Sequence, residues 1–309
     1  YTRGPAYPDR VACECECHEV RVPEPSSVGV PGFHEGIPEA DYHADRTSLS
    51  HSGVKTILQA PAIFRHQQDH PVTKRVFDLG SAAHRLVLGA GEPIVVVERT
   101  DTKTGEVTEA EDYKTPSARA HAEQIRAEHG IPLLRKEYDA VQAMADVLSS
   151  HSAAMELLSV GTPEVSAYAP DEATGVLRRC RYDWLGPSIL TDYKTAESAD
   201  PLTFGRKAAD YGYHIQAAWY LDVAADLGHP AEAFAFVVQA KTPPYLVTVI
   251  ELVPAAIQRG RDLAARGLQM YRDCTEAGLW PGYVPNDGKS AVVNLPEWAY
   301  TDRELETSS

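Results

Sequence analysis

The chain has 309 residues, 43% hydrophobic and 24% charged, the balance of a globular protein long enough to bury a full core. Its formal net charge of −15, taken as a sum, argues against a nucleic-acid binder, although binding depends on a local patch and not on the sum. No apolar run approaches the ~20 residues that cross a bilayer and no basic, apolar leader opens the chain, so a cytoplasmic protein without a membrane partner is expected.

Residues 1–40 are rich in Pro, Gly, Glu and Ser and show no periodicity. They are predicted to form a disordered arm, leaving 41–309 as a single domain. The arm holds "ACECECHEV", with Cys13, Cys15, Cys17 and His18. Thiolates two apart beside an imidazole could bind a soft metal. The spacing is not C-x2-C, however, and no second ligand pair accompanies it, so an unstructured tail is the stronger reading. Cys180 and Cys274 fall within a strand and a helix and are expected in the core.

Further along, Ser50 or Ser52 caps a short helix carrying Val54, Ile57 and Leu58, which stops before Pro61. A second helical stretch holds Ile63 and Phe64. In "FDLGSAAHRLVLGAG" the small residues from Gly80 to Ala83 permit close packing. "PIVVV" reads as a buried strand, residues 100–115 as a polar loop, and 116–129 and 134–158 as helices. From Glu164 the period becomes two: "EVSAYAP", a turn at "DEATG" and "VLRRCRYDWL" make a hairpin, and "GPS" turns the chain into "ILTDYKT". A helix from Thr203 to Leu227, the strands "AFAFVVQ" and "YLVTVIEL", and a helix from Pro254 to Gly278 complete the order. This is an α/β sandwich with a mixed sheet.

Strand alternation puts Asp192 and Lys194 on one face of "ILTDYKT" and Tyr193 on the other. The turn at Gly186-Pro187-Ser188 can bring Asp183 beside Asp192. Adjacent carboxylates repel unless a positive group lies between them, and magnesium suits such oxygen ligands. A lysine cannot ligate the cation, but it can orient or deprotonate a water or stabilise charge on a phosphate. The set is therefore either machinery for metal-assisted phosphodiester hydrolysis or a salt-bridged strand end. The second "DYKT", Asp112 to Thr115, follows no apolar strand and has no acid partner, so it reads as surface sequence before a helix start. Gln216 and Tyr220, four apart, share a helix face close to Tyr213. The basic residues Arg65, Lys74, Arg75, Arg179, Arg181, Arg206 and Lys207 are either DNA contacts or solvated faces.

The hairpin acid, the Asp-x-Lys strand and "QAAWY" resemble the PD-(D/E)XK nuclease superfamily in its RecB-like branch. "SLSHSGVKTILQAPAIFRH", "GSAAHRLVLG", "TGVLRRCRYDWL", "DYGYHIQAAWYLD", "FVVQAKTPPYLVTVIEL" and "LPEWA" are similar to RecE-type exodeoxyribonucleases of bacteria and prophages (exonuclease VIII type) over residues 42–300. The resemblance implies a restriction-endonuclease-like core, a central mixed sheet flanked by helices, with added N-terminal helices. It implies Asp183, Asp192, the Tyr193 backbone carbonyl and His84 around Mg²⁺, with Mn²⁺ able to substitute. Lys194 would position the attacking water, Glu164 would support the site, and Gln216 and Tyr220 would contact the site and the DNA end. It further implies 5′→3′ digestion of double-stranded DNA ends for recombination by a ring-shaped homo-oligomer, a trimer or tetramer, with a single-strand annealing protein as partner. A nuclease acting on single strands or flaps, or an inactive end-binding protein, are the alternatives. With only Cys274 late in the chain, no iron–sulfur cluster is expected.

Overall fold

The computed structural model describes residues 27–70, 78–283, 290 and 293–296. In chain order these form β1 (Gly32–His34), α1 (Glu39–Ala44), β2 (Leu49–Ser50), α2 (His51–Gln59), α3 (Pro61–Asp69), α4 (Asp78–Leu88), β3 (Ile94–Val96), β4 (Glu98–Thr100), β5 (Val107–Glu109), α5 (Pro116–Ala127), β6 (Ile131–Leu133), α6 (Arg135–Ser149), α7 (Ser152–Leu157), β7 (Thr162–Pro170), β8 (Leu177–Leu185), β9 (Ile189–Ala196), α8 (Pro201–Tyr211), α9 (Tyr213–Asp226), β10 (Ala233–Ala240), β11 (Val247–Glu251) and α10 (Pro254–Ala277).

The period-two segments build one mixed sheet in the order β1-β7-β8-β9-β10-β11, with β2 beside β8. β7, β8 and β9 form an antiparallel meander, and β10 then pairs parallel to β9. A parallel neighbour requires a long crossover, and α8 and α9 provide it. Alternation along β9 sends Leu190 into one core and Tyr193 into the other. On the first face lie Val54 and Ile57 of α2, Trp219 and Val223 of α9, and Leu268 of α10. On the second, Ala82 and Ala83 of α4 and Met144 of α6 pack against Tyr193 and Val237. Both faces are thus covered by helices, the expected sandwich. The approach of α10 to α9 depends on Gly260, where an added Cβ would meet the His214 carbonyl oxygen at 2.0 Å.

Several expectations are corrected. "PIVVV" contributes β3, which leaves the main sheet to pair with β6, and Val95 is 37% exposed. The polar stretch 100–115 contains half of a small hairpin, β4 with β5. The 134–158 helix breaks after Ser149, where His151 Nδ1 caps α7 by accepting from Ala154 N–H at 3.2 Å. The 203–227 helix breaks at Gly212, whose φ of +73° ends α8 and starts α9. Within the stretch expected as an arm, β1 pairs with β7, setting Phe33 opposite Ala167, and α1 begins at Glu39. An otherwise unpaired edge of β7 explains the recruitment of β1, since buried backbone groups need partners. The cysteine segment at Cys13, Cys15 and Cys17 with His18 lies outside the described residues. Cys180 and Cys274 are buried. Among the described residues no helix is long and apolar enough to cross a membrane.

Candidate active site

β8 and β9 meet at the turn that follows Leu185. Leu185 pairs with Leu190 and Trp184 with Thr191. Backbone pairing stops at the next step because the Asp183 carboxylate intervenes: its Oδ2 accepts the Tyr193 backbone N–H at 2.9 Å. The hairpin thus sets two carboxylates, Asp183 and Asp192, at one level of adjoining strands.

Asp192 is 1% exposed. Gln216 Nε2, from α9, donates to its Oδ1 at 2.5 Å. Lys194 Nζ lies 2.7 Å from Oδ2, an ion pair without the alignment of a directed hydrogen bond, so that buried oxygen lacks a directed donor. Burial raises the Asp192 pKa, and Asp183 adds to the rise against the opposing pull of Lys194. For Lys194 burial acts downward, but the attraction of Asp192 and Asp183 outweighs it and the net shift is upward. The lysine is therefore held as an ammonium, and its Nζ sits 5.3 Å from the Tyr213 ring centroid.

On the other side, the small residues of α4 let the helix lie close to Tyr193. His84 stacks edge-on against that ring at 5.1 Å, with Nδ1 3.5 Å from Asp183 Oδ2. Glu164, on β7, has a left-handed φ of +54°. Burial, then the charge of Asp183, raises its pKa to about 7, while Arg181 at 4.0 Å pulls the other way. His84, Glu164 and Asp183 each offer a ligand atom, all within 4.8 Å of one another. Of the expected ligands, Asp183 and His84 fall in this group together with Glu164, which was expected to support the site, while Asp192, on the adjoining strand, faces Lys194 and Gln216. A hard divalent cation fits this donor set of carboxylates and one imidazole.

Tyr220 is buried on α9; its ring lies 5.4 Å from His51, and its carbonyl accepts from the Tyr182 hydroxyl at 2.9 Å. His51 is a neighbour that sequence reasoning missed. Burial, then the charges of Lys194 and Lys55, lowers its imidazole to about 3. Its position directly after the cap Ser50 was the sole signal available. Glu39 of α1 was missed as well; its charge reaches Glu164 and His84, and only tertiary structure brings it there.

The basic residues divide. Arg179 is 6% exposed, and its Nη1 donates to the Asp45 carbonyl and Oδ2 and to the Ser48 carbonyl and Oγ, at 2.9–3.2 Å. Arg181 donates to Ser166 Oγ at 3.0 Å and to the Ile37 carbonyl at 2.5 Å. Both hold the N-terminal segment against β8 instead of facing solvent, which corrects their expected role as DNA contacts. Arg65 is ion-paired with Asp69 at 3.0 Å on α3. Lys74 and Arg75 lie outside the described residues. Arg206 and Lys207 are exposed on α8. The second "DYKT" is at the surface, with Lys114 paired to Asp112 at 3.4 Å and Thr115 capping α5.

A mixed sheet whose central hairpin ends in an acid and an acid-x-lysine, backed by a glutamine from the crossover helix, defines a nuclease-type PD-(D/E)XK fold. The chain belongs to the family described as PDDEXK-like domain of unknown function (DUF3799), which matches residues 50–288. A crystal structure from Eubacterium rectale, described as "Putative exonuclease", is similar over 87% of this chain and 100% of that one, with a TM-score of 0.55 and 12% identity. That likeness concerns the fold. The structure named SSO0001 is 13% identical over 72% of this chain and 77% of its own, with a TM-score of 0.31. No curated protein matches.

Proposed function

We propose that the protein is a divalent-metal-dependent exodeoxyribonuclease of RecE-like type, which digests duplex DNA ends 5′→3′ and leaves single-stranded tails for recombination. One observation carries this reading: a buried Asp192 paired with a charged Lys194 at 2.7 Å, on the strand adjoining the His84, Glu164 and Asp183 group. A structural ion pair alone would not need a second cluster of ligand-capable groups beside it.

Asp183, Glu164 and His84, with Asp192 and the Tyr193 carbonyl, would hold Mg²⁺ or Mn²⁺. When bound, the cation supplies positive charge against the phosphate and the leaving oxygen. The Lys194 ammonium donates a hydrogen bond to the attacking water and orients it toward phosphorus. Gln216 fixes the Asp192 carboxylate and, through it, the lysine. The water oxygen bonds to phosphorus, the P–O3′ bond breaks, and the water's proton ends on the departing oxygen. A ring-shaped homo-oligomer, a cytoplasmic location and an annealing partner belong to the same proposal.

The test is digestion of end-labelled linear duplex against covalently closed circles. Linear duplex should be degraded from its ends in Mg²⁺ or Mn²⁺, and circles should survive. Ca²⁺ should permit binding with little turnover, because its longer, looser coordination positions groups less tightly. Full cleavage in excess chelator, or equal attack on circles, would overturn the reading.

A further inference from the structure

The break between α8 and α9 places two tyrosines on opposite sides of Gly212. Tyr213 turns inward, stacks on Phe204 at 5.5 Å and lies beneath Lys194. Tyr211 turns outward and is 50% exposed. Lys207 Nζ is 5.2 Å and Lys55 Nζ 5.6 Å from the Tyr211 ring centroid. The stem of Lys55 runs along Gly212, where an added Cβ would lie 3.5 Å from its Cδ. The Tyr211 and Tyr213 rings are 5.7 Å apart. A continuous series thus leads from solvent to the reactive lysine: two exposed cations, an exposed ring, a partly buried ring, then Lys194.

The charges along it are available. Among the described residues neither Lys55 nor Lys207 forms an ion pair. Glu197, on which Lys207 acts, is bound to Lys241 at 2.8 Å. Arg206 is exposed beside Lys207, and Asp210 is the exposed acid nearby in sequence. In a chain of net charge −15, such a cationic and aromatic surface next to the candidate site is selective for an anionic, aromatic ligand. A lysine over an exposed ring is held weakly, whereas a nucleobase stacks on an aromatic side chain more strongly and irrespective of sequence.

We propose that Tyr211, Lys55 and Lys207 form a platform for one single-stranded DNA segment next to the scissile phosphate. A base stacks on Tyr211, and the flanking phosphates draw the two lysines from the ring. The platform rests on the reading of the site as a DNA nuclease, but it is testable apart from cleavage.

The experiment measures fluorescence anisotropy of a short labelled single-stranded oligonucleotide in excess chelator, across a salt series. Tyr211→Ala should weaken binding about tenfold, within the range of losing one base–aromatic stack, and Tyr211→Phe, which keeps the ring, should bind as the wild type does. Lys55→Ala with Lys207→Ala should flatten the slope of log affinity against log salt by about 1.4, roughly 0.7 for each phosphate no longer neutralised. Melting curves accompany each variant. Should Tyr211→Ala melt early, the lysine pair, both exposed, decides alone. Unchanged affinity and salt slope in folded variants would overturn the platform. Equal competition by blunt duplex and by single strand would also overturn it. Digestion of linear duplex is scored separately. Absent cleavage with ring-dependent oligonucleotide binding would overturn the nuclease reading and support the platform. Normal cleavage with no binding change in Tyr211→Ala would overturn the platform alone.

Discussion

Replacing Arg179 should unfold the protein at lower temperature without touching DNA affinity, the reverse of what an exposed phosphate contact would do. Its Nη1 donates to four acceptors on Asp45 and Ser48, and the guanidinium lies 5.3 Å from the Tyr42 ring. Arg179→Ala strands the Asp45 carboxylate, whose side chain is 1% exposed, and two carbonyls. Removing one partner of a buried pair destabilises by about 3–5 kcal/mol. Thr47 and Ser48 still donate to Asp45, which favours the lower end. At roughly 2–3 °C per kcal/mol for a chain this long, the melting temperature should fall by about 6–12 °C. Arg179→Met combined with Asp45→Asn removes both charges and should recover most of the loss. Differential scanning calorimetry reads the first quantity, and the salt dependence of oligonucleotide binding reads the second. A variant that melts within about 1 °C of wild type but binds DNA with a shallower salt slope would refute the structural role and restore the residue to the DNA surface.

Asp192→Ala and Lys194→Ala should each reduce digestion of linear duplex by about 10² or more with the fold retained; Lys114→Ala, in the surface copy of the motif, should digest at the wild-type rate. Glu164 concerns pH. Its folded pKa of about 7 exceeds the ordinary carboxylate value of 4.5, so its contribution is full below pH 4.5 and is lost as pH rises through 7. In chelator, Glu164→Gln should therefore melt above wild type at pH 8, by up to about 3 kcal/mol of stability, and close to it at pH 4; a constant difference across that range would contradict the assignment. Truncation should separate two parts of the N-terminal region. Removing residues 1–26, which carry Cys13, Cys15 and Cys17, should leave digestion intact. Removing 1–40 deletes β1 and the Ile37 carbonyl that Arg181 binds, so its melting temperature should fall. Equal melting of the two truncations would show that β1 adds nothing.

Local pattern alone determined the meander and the strand bearing Asp192 and Lys194. Period two and its turn residues operate within a few positions, and alternation decides which side chains share a face. The same locality made a serine cap at Ser50 or Ser52 legible, of which Ser50 is the one that caps α2, and separated the two copies of "DYKT", since only one follows an apolar strand. The helix break at Gly212 was passed over because an isolated glycine within a helical pattern is often tolerated; here its left-handed φ of +73° ends α8 and starts α9. β3 and β6 were misread or missed because three-residue strands exist by virtue of each other. The site itself needed the sheet and both helical layers. Asp183, Asp192 and Lys194 are close in sequence, but Glu164, His84, His51 and Glu39 arrive from four other elements, and no spacing encodes that meeting. Burial, which only tertiary structure supplies, decided the basic residues: it turned Arg179 and Arg181 into fasteners for the N-terminal segment and left Lys55 and Lys207 in solvent, free to meet an anion.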